Sequence, residues 1–139
     1  MEPVELAFED ISVGDSASFE RVFTTEDVQA FAALSGDTNP LHTSESYAAG
    51  TRFKKPLVHG MLAGALCSTL VGMHLPGKQC LYLRQTLSFK KPIFIGDSLR
   101  ITGVVTEKVA ATRMLTLAIS ITCEGVHAIE GMATVQVLV

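Results

Sequence analysis

The sequence predicts an α+β fold in which one antiparallel sheet wraps around a single apolar helix. Three features of the chain point to it. The second half alternates apolar and polar residues in several runs, with no helical period between them. The stretch from Gly60 to about His74 is apolar nearly all round, so it needs enclosure on every face. Helical signals come early and strand signals late, which favours α+β over a parallel α/β arrangement.

In chain order, Ser18–Phe23 alternates as a half-buried strand would. Thr24 and Thr25 ahead of Glu26–Asp27 are N-cap material, and Val28, Phe31, Ala32 and Leu34 recur at helical spacing until Gly36 stops the helix. Ser35–His42 is polar and turn-rich, and a short helix from Ser44 to Ala49 closes at Gly50. Pro56 disfavours helix at Lys55. The apolar helix runs from Gly60 and ends at Pro76–Gly77. Strands are then expected over Gln79–Lys91, Leu99–Lys108, Thr112–Glu124 and His127–Val139, with turns at Ile95–Asp97, Val109–Ala111 and Glu124–Val126. In the third, Leu115, Leu117, Ile119, Ile121 and Cys123 alternate with Thr116, Ala118, Ser120 and Thr122. Without helices between them these strands should form an antiparallel meander. An apolar helix lying across such a curved sheet is the hot-dog arrangement, expected here as one domain over residues 1–139.

The composition bounds what the chain does. Of its 139 residues 47% are hydrophobic and 18% charged, which is a packed protein rather than a disordered one. A net charge of −3 with scattered basic residues gives no nucleic-acid surface. The apolar stretch Met61–Leu75 falls short of the ~20 residues a membrane span requires. The acidic N-terminal stretch has no signal-peptide character, so a cytosolic location is expected. Cys67, Cys80 and Cys123 are odd in number and lack CxxC spacing, which argues for buried free thiols and against disulfides or a zinc site.

Two stretches carry chemistry. In Phe31–His42, Asp37 and His42 stand on a segment stiffened by Pro40, an acid/base pair of different intrinsic pKa suited to moving a proton to and from water. The same Gly-Asp-x-Asn-Pro run also reads as an Asx-capped turn before a helix. In Pro56–Leu62, Gly60 falls where the apolar helix begins. First-turn N–H groups there have no internal partner and can hold a developing oxyanion. Gly60 also reads as a helix-start residue, and His59 alone reads better as a packed histidine than as a chemical group.

Together these residues resemble the MaoC-like dehydratase family, specifically the (R)-specific enoyl-CoA hydratases of the hydratase 2 type. The resemblance rests on Ala32-Ala33-Leu34-Ser35-Gly36-Asp37-Thr38-Asn39-Pro40-Leu41-His42 and Pro56-Leu57-Val58-His59-Gly60-Met61-Leu62. It continues through Leu75-Pro76-Gly77 and Leu87-Ser88-Phe89-Lys90-Lys91-Pro92 with Gly96-Asp97. It implies a reversible syn addition of water to trans-2-enoyl-CoA giving the (R)-3-hydroxyacyl-CoA, with neither metal nor redox cofactor. Asp37 would act as base toward a water it shares with His42, and the Gly60 N–H would receive the thioester oxygen. Asn39, Ser68 and His59 would be supporting residues. It further implies a homodimer. Lys54, Lys55, Lys90 and Lys91 could meet CoA phosphates, or equally be solvated lysines at loop ends. The rival readings are a hot-dog acyl-CoA thioesterase and a non-catalytic acyl-CoA-binding module.

Overall fold

The computed structural model describes residues 1–139, and its first strand, β1 (Ser16–Arg21), begins and ends slightly before the predicted one. Arg21 pairs with Leu99, the first residue of β4 (Leu99–Val109). The partner strand runs out there, so Val22 and Phe23 leave the sheet and Phe23 turns into the core. Helix α1 (Thr25–Ser35) starts as its sequence predicts. The Thr24 hydroxyl accepts from the Asp27 N–H while the Asp27 carboxylate accepts from the Thr24 N–H, a reciprocal capping box. Gly36 closes the helix at φ 81°, a left-handed cap that glycine adopts without a Cβ penalty. The expected turn-rich segment contains one additional helical turn, α2 (Pro40–Thr43), formed because Asn39 caps it and Pro40 is preset for a first helical position. Then α3 (Glu45–Ala49) follows from its N-cap Ser44.

The apolar stretch forms α4 (Gly60–Gly64), α5 (Leu66–Thr69) and π-helical turns over Leu70–His74, joined because Ala65 keeps helical dihedrals. Contrary to the sequence expectation, this rod is not enclosed on every face. Ala63, Leu66, Cys67, Leu70 and Val71 are buried, but Met61, Ala65 and Ser68 face outward. Residues three and four apart share a face, and the sheet curves around only one side of the helix, so a single stripe is left uncovered.

With β2 (Cys80–Gln85), β3 (Ser88–Phe89), β5 (Met114–Cys123) and β6 (Val126–Val137), the sheet has six antiparallel strands in the order β1-β4-β5-β6-β2, with β3 also paired to β6. Strand β5 (Met114–Cys123) buries Leu115, Leu117, Ile119 and Ile121, the alternation seen in its sequence. Strands β4, β5 and β6 (Val126–Val137) form a meander, but β2 (Cys80–Gln85) lies beyond β6 and not beside β4, which corrects the predicted order. The connection 90–98 contains Pro92 and crosses beneath the start of the apolar helix, where the Val58 N–H donates to the Ile93 carbonyl at 2.8 Å, so no tight hairpin can join β2 to β4. The predicted strand Gln79–Lys91 is broken as well, into β2 and β3 (Ser88–Phe89). Between them Leu87 turns inward against Gly64, and the Thr86 carbonyl crosses Gly131 so closely that a Cβ there would strike it. At the centre, Leu70 sits over Gly103 in a space that a side chain at 103 would fill. One core of 24 buried residues joins helix and sheet. This is the predicted α+β hot-dog arrangement, and no helix is long and apolar enough to cross a membrane.

Candidate active site

Local hydrogen bonds shape the loop after α1. The Asp37 N–H donates to Ser35 Oγ at 3.2 Å, and the Asn39 N–H donates to Asp37 Oδ1 at 3.2 Å. Asn39 Oδ1 then accepts from the Leu41 N–H at 3.0 Å, capping α2. The turn reading of Asp37 holds, and it leaves the second carboxylate oxygen available for the chemical reading. One carboxylate oxygen holds the turn, and the side chain remains 51% exposed.

Helix α2 carries His42 toward the segment before α4. Its Nδ1–H donates to the Leu57 carbonyl at 2.8 Å, and the Leu57 N–H returns a bond to the Leu41 carbonyl at 3.2 Å. With the proton on Nδ1, the Nε2 lone pair of His42 is free for a ligand. His42 stacks on His59 with ring centroids 3.9 Å apart. His59 is the one buried polar side chain of the core. Its Nε2 lies 2.9 Å from the Asp37 main-chain carbonyl and 3.9 Å from Asp37 Oδ2.

A cleft of about 250 Å³ opens beside this group, lined in part by His42, Gly60, Phe89, Lys90, Lys91 and Ile129. Gly60 is the first residue of α4, and the Phe89 ring rests against it, 2.9 Å from where a Cβ would stand. Glycine at 60 thus keeps both the ring and the helix N-terminus close to the cleft. Phe89 was not singled out by the sequence, because an apolar residue in a short edge strand carries no site signal. The Leu57 carbonyl, set by the backbone fold alone, was equally invisible.

The lysine pairs separate. Lys90 and Lys91 line the cleft, with Lys90 Nζ 3.9 Å from Glu130. Lys54 and Lys55 do not line it, and the Lys55 ammonium lies 4.6 Å over the Phe94 ring. Ser68 lies on the exposed stripe of α5, beyond the cleft. Cys67 is buried, and burial pushes its thiol up to about 11, so it offers no thiolate nucleophile near neutral pH. The Asp37, His42 and His59 ligand atoms all lie within 4.8 Å of one another. They do not suit a three-ligand cation site: His59 Nε2 donates to a carbonyl and has no lone pair to offer. A larger hollow of about 500 Å³ on the other face of the sheet is walled mainly by small neutral residues such as Thr102, Ala118 and Ser120. It has no acid/base pair beyond the exposed His127–Glu130 contact at 2.8 Å.

The MaoC like domain family matches residues 11–125. This chain belongs to that family. As a member it is 43% identical over 130 residues to the (R)-specific enoyl-CoA hydratase of Rhodospirillum rubrum, covering 94% of this chain and 90% of that one. It is also 43% identical over 135 residues to the (R)-specific enoyl-CoA hydratase of Aeromonas caviae, covering 94% of this chain and 98% of the relative. Among solved structures, the (R)-hydratase from A. caviae involved in PHA biosynthesis superposes with a TM-score of 0.91 at 42% identity, covering 93% and 98% of the two chains. The MaoC-like fold accordingly places the loop before α2 and the start of α4 against one another, and both sequence motifs meet there.

Proposed function

We propose that this chain is an (R)-specific enoyl-CoA hydratase, a hydro-lyase that reversibly adds water to trans-2-enoyl-CoA to give (R)-3-hydroxyacyl-CoA. The observation that carries the reading is the free Nε2 of His42 on a cleft that ends at the first residue of α4. A water held between Asp37 and His42 bonds through its oxygen to the β-carbon. Its proton passes to the pair, with Asp37 as base, and a proton is returned to the α-carbon on the same face with His42 taking part, so the pair ends as it began. The Gly60 N–H receives the thioester oxygen as the enolate forms, and such a donor is worth about 10²–10³ in rate. Asn39 supports the loop by capping α2. Lys90 and Lys91, which line the cleft, would be the lysines to meet CoA phosphates, while Lys54 and Lys55 do not line it.

The active form is proposed to be a homodimer, because edge strand β2 exposes Leu81 and Leu83 at 51% and 46% beside an unpaired ladder. Its three free thiols suit a reducing compartment such as the cytosol.

The deciding assay follows the enoyl-thioester absorbance of crotonyl-CoA, with chiral analysis of the product. Loss of the band with (R)-3-hydroxybutyryl-CoA formed and no free thiol is the expected result. Release of free CoA would point to a thioesterase instead. Binding without turnover, with crotonyl-CoA and a longer enoyl-CoA alike, would leave a binding module.

A further inference from the structure

His59 occupies a place in the site that its neighbours' chemistry does not require of an ordinary core residue. It is 2% exposed, and its Nδ1 lies among buried atoms with no hydrogen-bond partner. An unpaired lone pair there costs less than an unpaired N–H, which must give up its bond to water with nothing in return. The proton therefore sits on Nε2, the nitrogen 2.9 Å from the Asp37 carbonyl. Phe31 meets the ring edge-on at a centroid distance of 4.9 Å, and His42 stacks on it at 3.9 Å with an interplanar angle of 26°. The next residue is Gly60, where α4 begins. One rigid ring thus touches the main chain of Asp37, supports the ring of His42 and precedes the glycine of the cleft. An apolar side chain of similar size would fill this volume without an orphaned nitrogen, so the imidazole is retained against a cost.

We propose that His59 is a positioning residue for the hydration reaction, a single-tautomer donor that holds the Asp37 main chain in register with the His42 ring stacked against it. This deepens the hydratase reading and rests on it. His59 touches neither water nor substrate. It fixes the spacing of the two groups between which the water must sit, while the His42 ring is fixed from its other side by Leu57. Displacing a reacting group by about 1 Å costs on the order of 10² in rate, so a loosened Asp37 loop should appear in kcat. Substrate affinity, which depends on the cleft and on Gly60, should change little, because a contact that matters only in the transition state lowers kcat and leaves KM in place.

Two substitutions separate the hydrogen bond from the packing. His59→Phe keeps a ring against Phe31 and His42 but removes the donor, and its kcat is expected to fall on the order of 10²-fold with KM unchanged. His59→Gln keeps an N–H donor on a side chain of comparable reach, and should recover most of that loss. Thermal melts of both variants establish that they fold. Nitrogen-detected NMR of the wild-type imidazoles reads the tautomers directly, with the proton expected on Nε2 of His59 and on Nδ1 of His42. Wild-type kcat in His59→Phe, equal impairment of both variants, or a proton on His59 Nδ1 would each overturn the proposal. If His59→Phe does not fold, His59→Gln and the tautomer measurement decide it. A wild-type protein that hydrates no enoyl-CoA would sink the hydratase reading itself, and the tautomers would still show whether His59 holds the Asp37 loop.

Discussion

The two carboxylate oxygens of Asp37 have different surroundings. Oδ1 accepts the Asn39 N–H and holds the turn, while the carboxylate as a whole stays half-exposed beside His59 and His42. The conservative test follows from that division. Asp37→Asn retains a carbonyl oxygen that can accept the same N–H, so the loop and the melting temperature should be preserved. It removes the carboxylate proposed as base, and general acid–base catalysis is worth about 10²–10⁴ in rate. Hydratase turnover is therefore expected to fall by that factor at unchanged thermal stability, measured on the same preparation. A parallel fall in stability would mark Asp37 as a structural residue first.

At the scale of elements, the helix starts and the strand crossings are held by different physics. The Asp27 carboxylate accepts the Thr24 N–H at 2.9 Å and lies 3.3 Å from the Arg21 guanidinium. The Thr24 N–H chiefly, with Arg21 adding, holds its carboxyl below the usual aspartate range. A folded value below the unfolded one means this stabilisation is complete above the ordinary aspartate pKa of about 3.9 and is lost as pH falls through the lowered value. Asp27→Asn should therefore be less stable than wild type in denaturant melts at pH 7, with the gap closing in acid below pH ~4. Gly131 is held by sterics instead, because a methyl there meets the Thr86 carbonyl, which is backbone and cannot rotate away. Gly131→Ala is expected to cost about 3 kcal/mol in the same melts. Gly103→Ala should cost less, because the atom it meets is the end of the flexible Leu70 side chain.

The whole molecule leaves the stripe of the apolar helix at Met61, Ala65 and Ser68 uncovered, and of the two sheet edges, β1 and β2, the β2 edge carries exposed leucines. A strand edge with outward leucines is an adhesive surface in water, and natural monomers blunt such edges with charge. Light scattering is expected to give twice the chain mass. The double variant Leu81→Lys/Leu83→Lys should run as a monomer with wild-type circular dichroism. A monomeric wild-type protein would remove the basis for the dimer.

Periodicity and punctuation made most of the fold legible from the sequence. The alternation of Leu115–Cys123, the Thr24 cap and the Gly36 stop are local patterns whose physics acts within a few residues, so each element appeared close to its predicted place. The order of β2 in the sheet and its break at Thr86–Leu87 were not legible, since both follow from where Leu87 and Gly131 meet other elements. The enclosure of the apolar helix was overestimated for the same reason: hydrophobicity specifies that a surface should be covered, not which part of the chain covers it. In the site, residue types and spacing marked Asp37, His42 and Gly60 as candidates, because a carboxylate, an imidazole and a bare helix start have intrinsic chemistry. The meeting of His42 and Gly60 on one cleft, the approach of Asp37 to His42 and His59, the choice of the Leu57 carbonyl as partner for His42, and the burial of His59 between the two motifs were decided only by tertiary structure. Those relations are distances between segments far apart in sequence, and no local pattern encodes them.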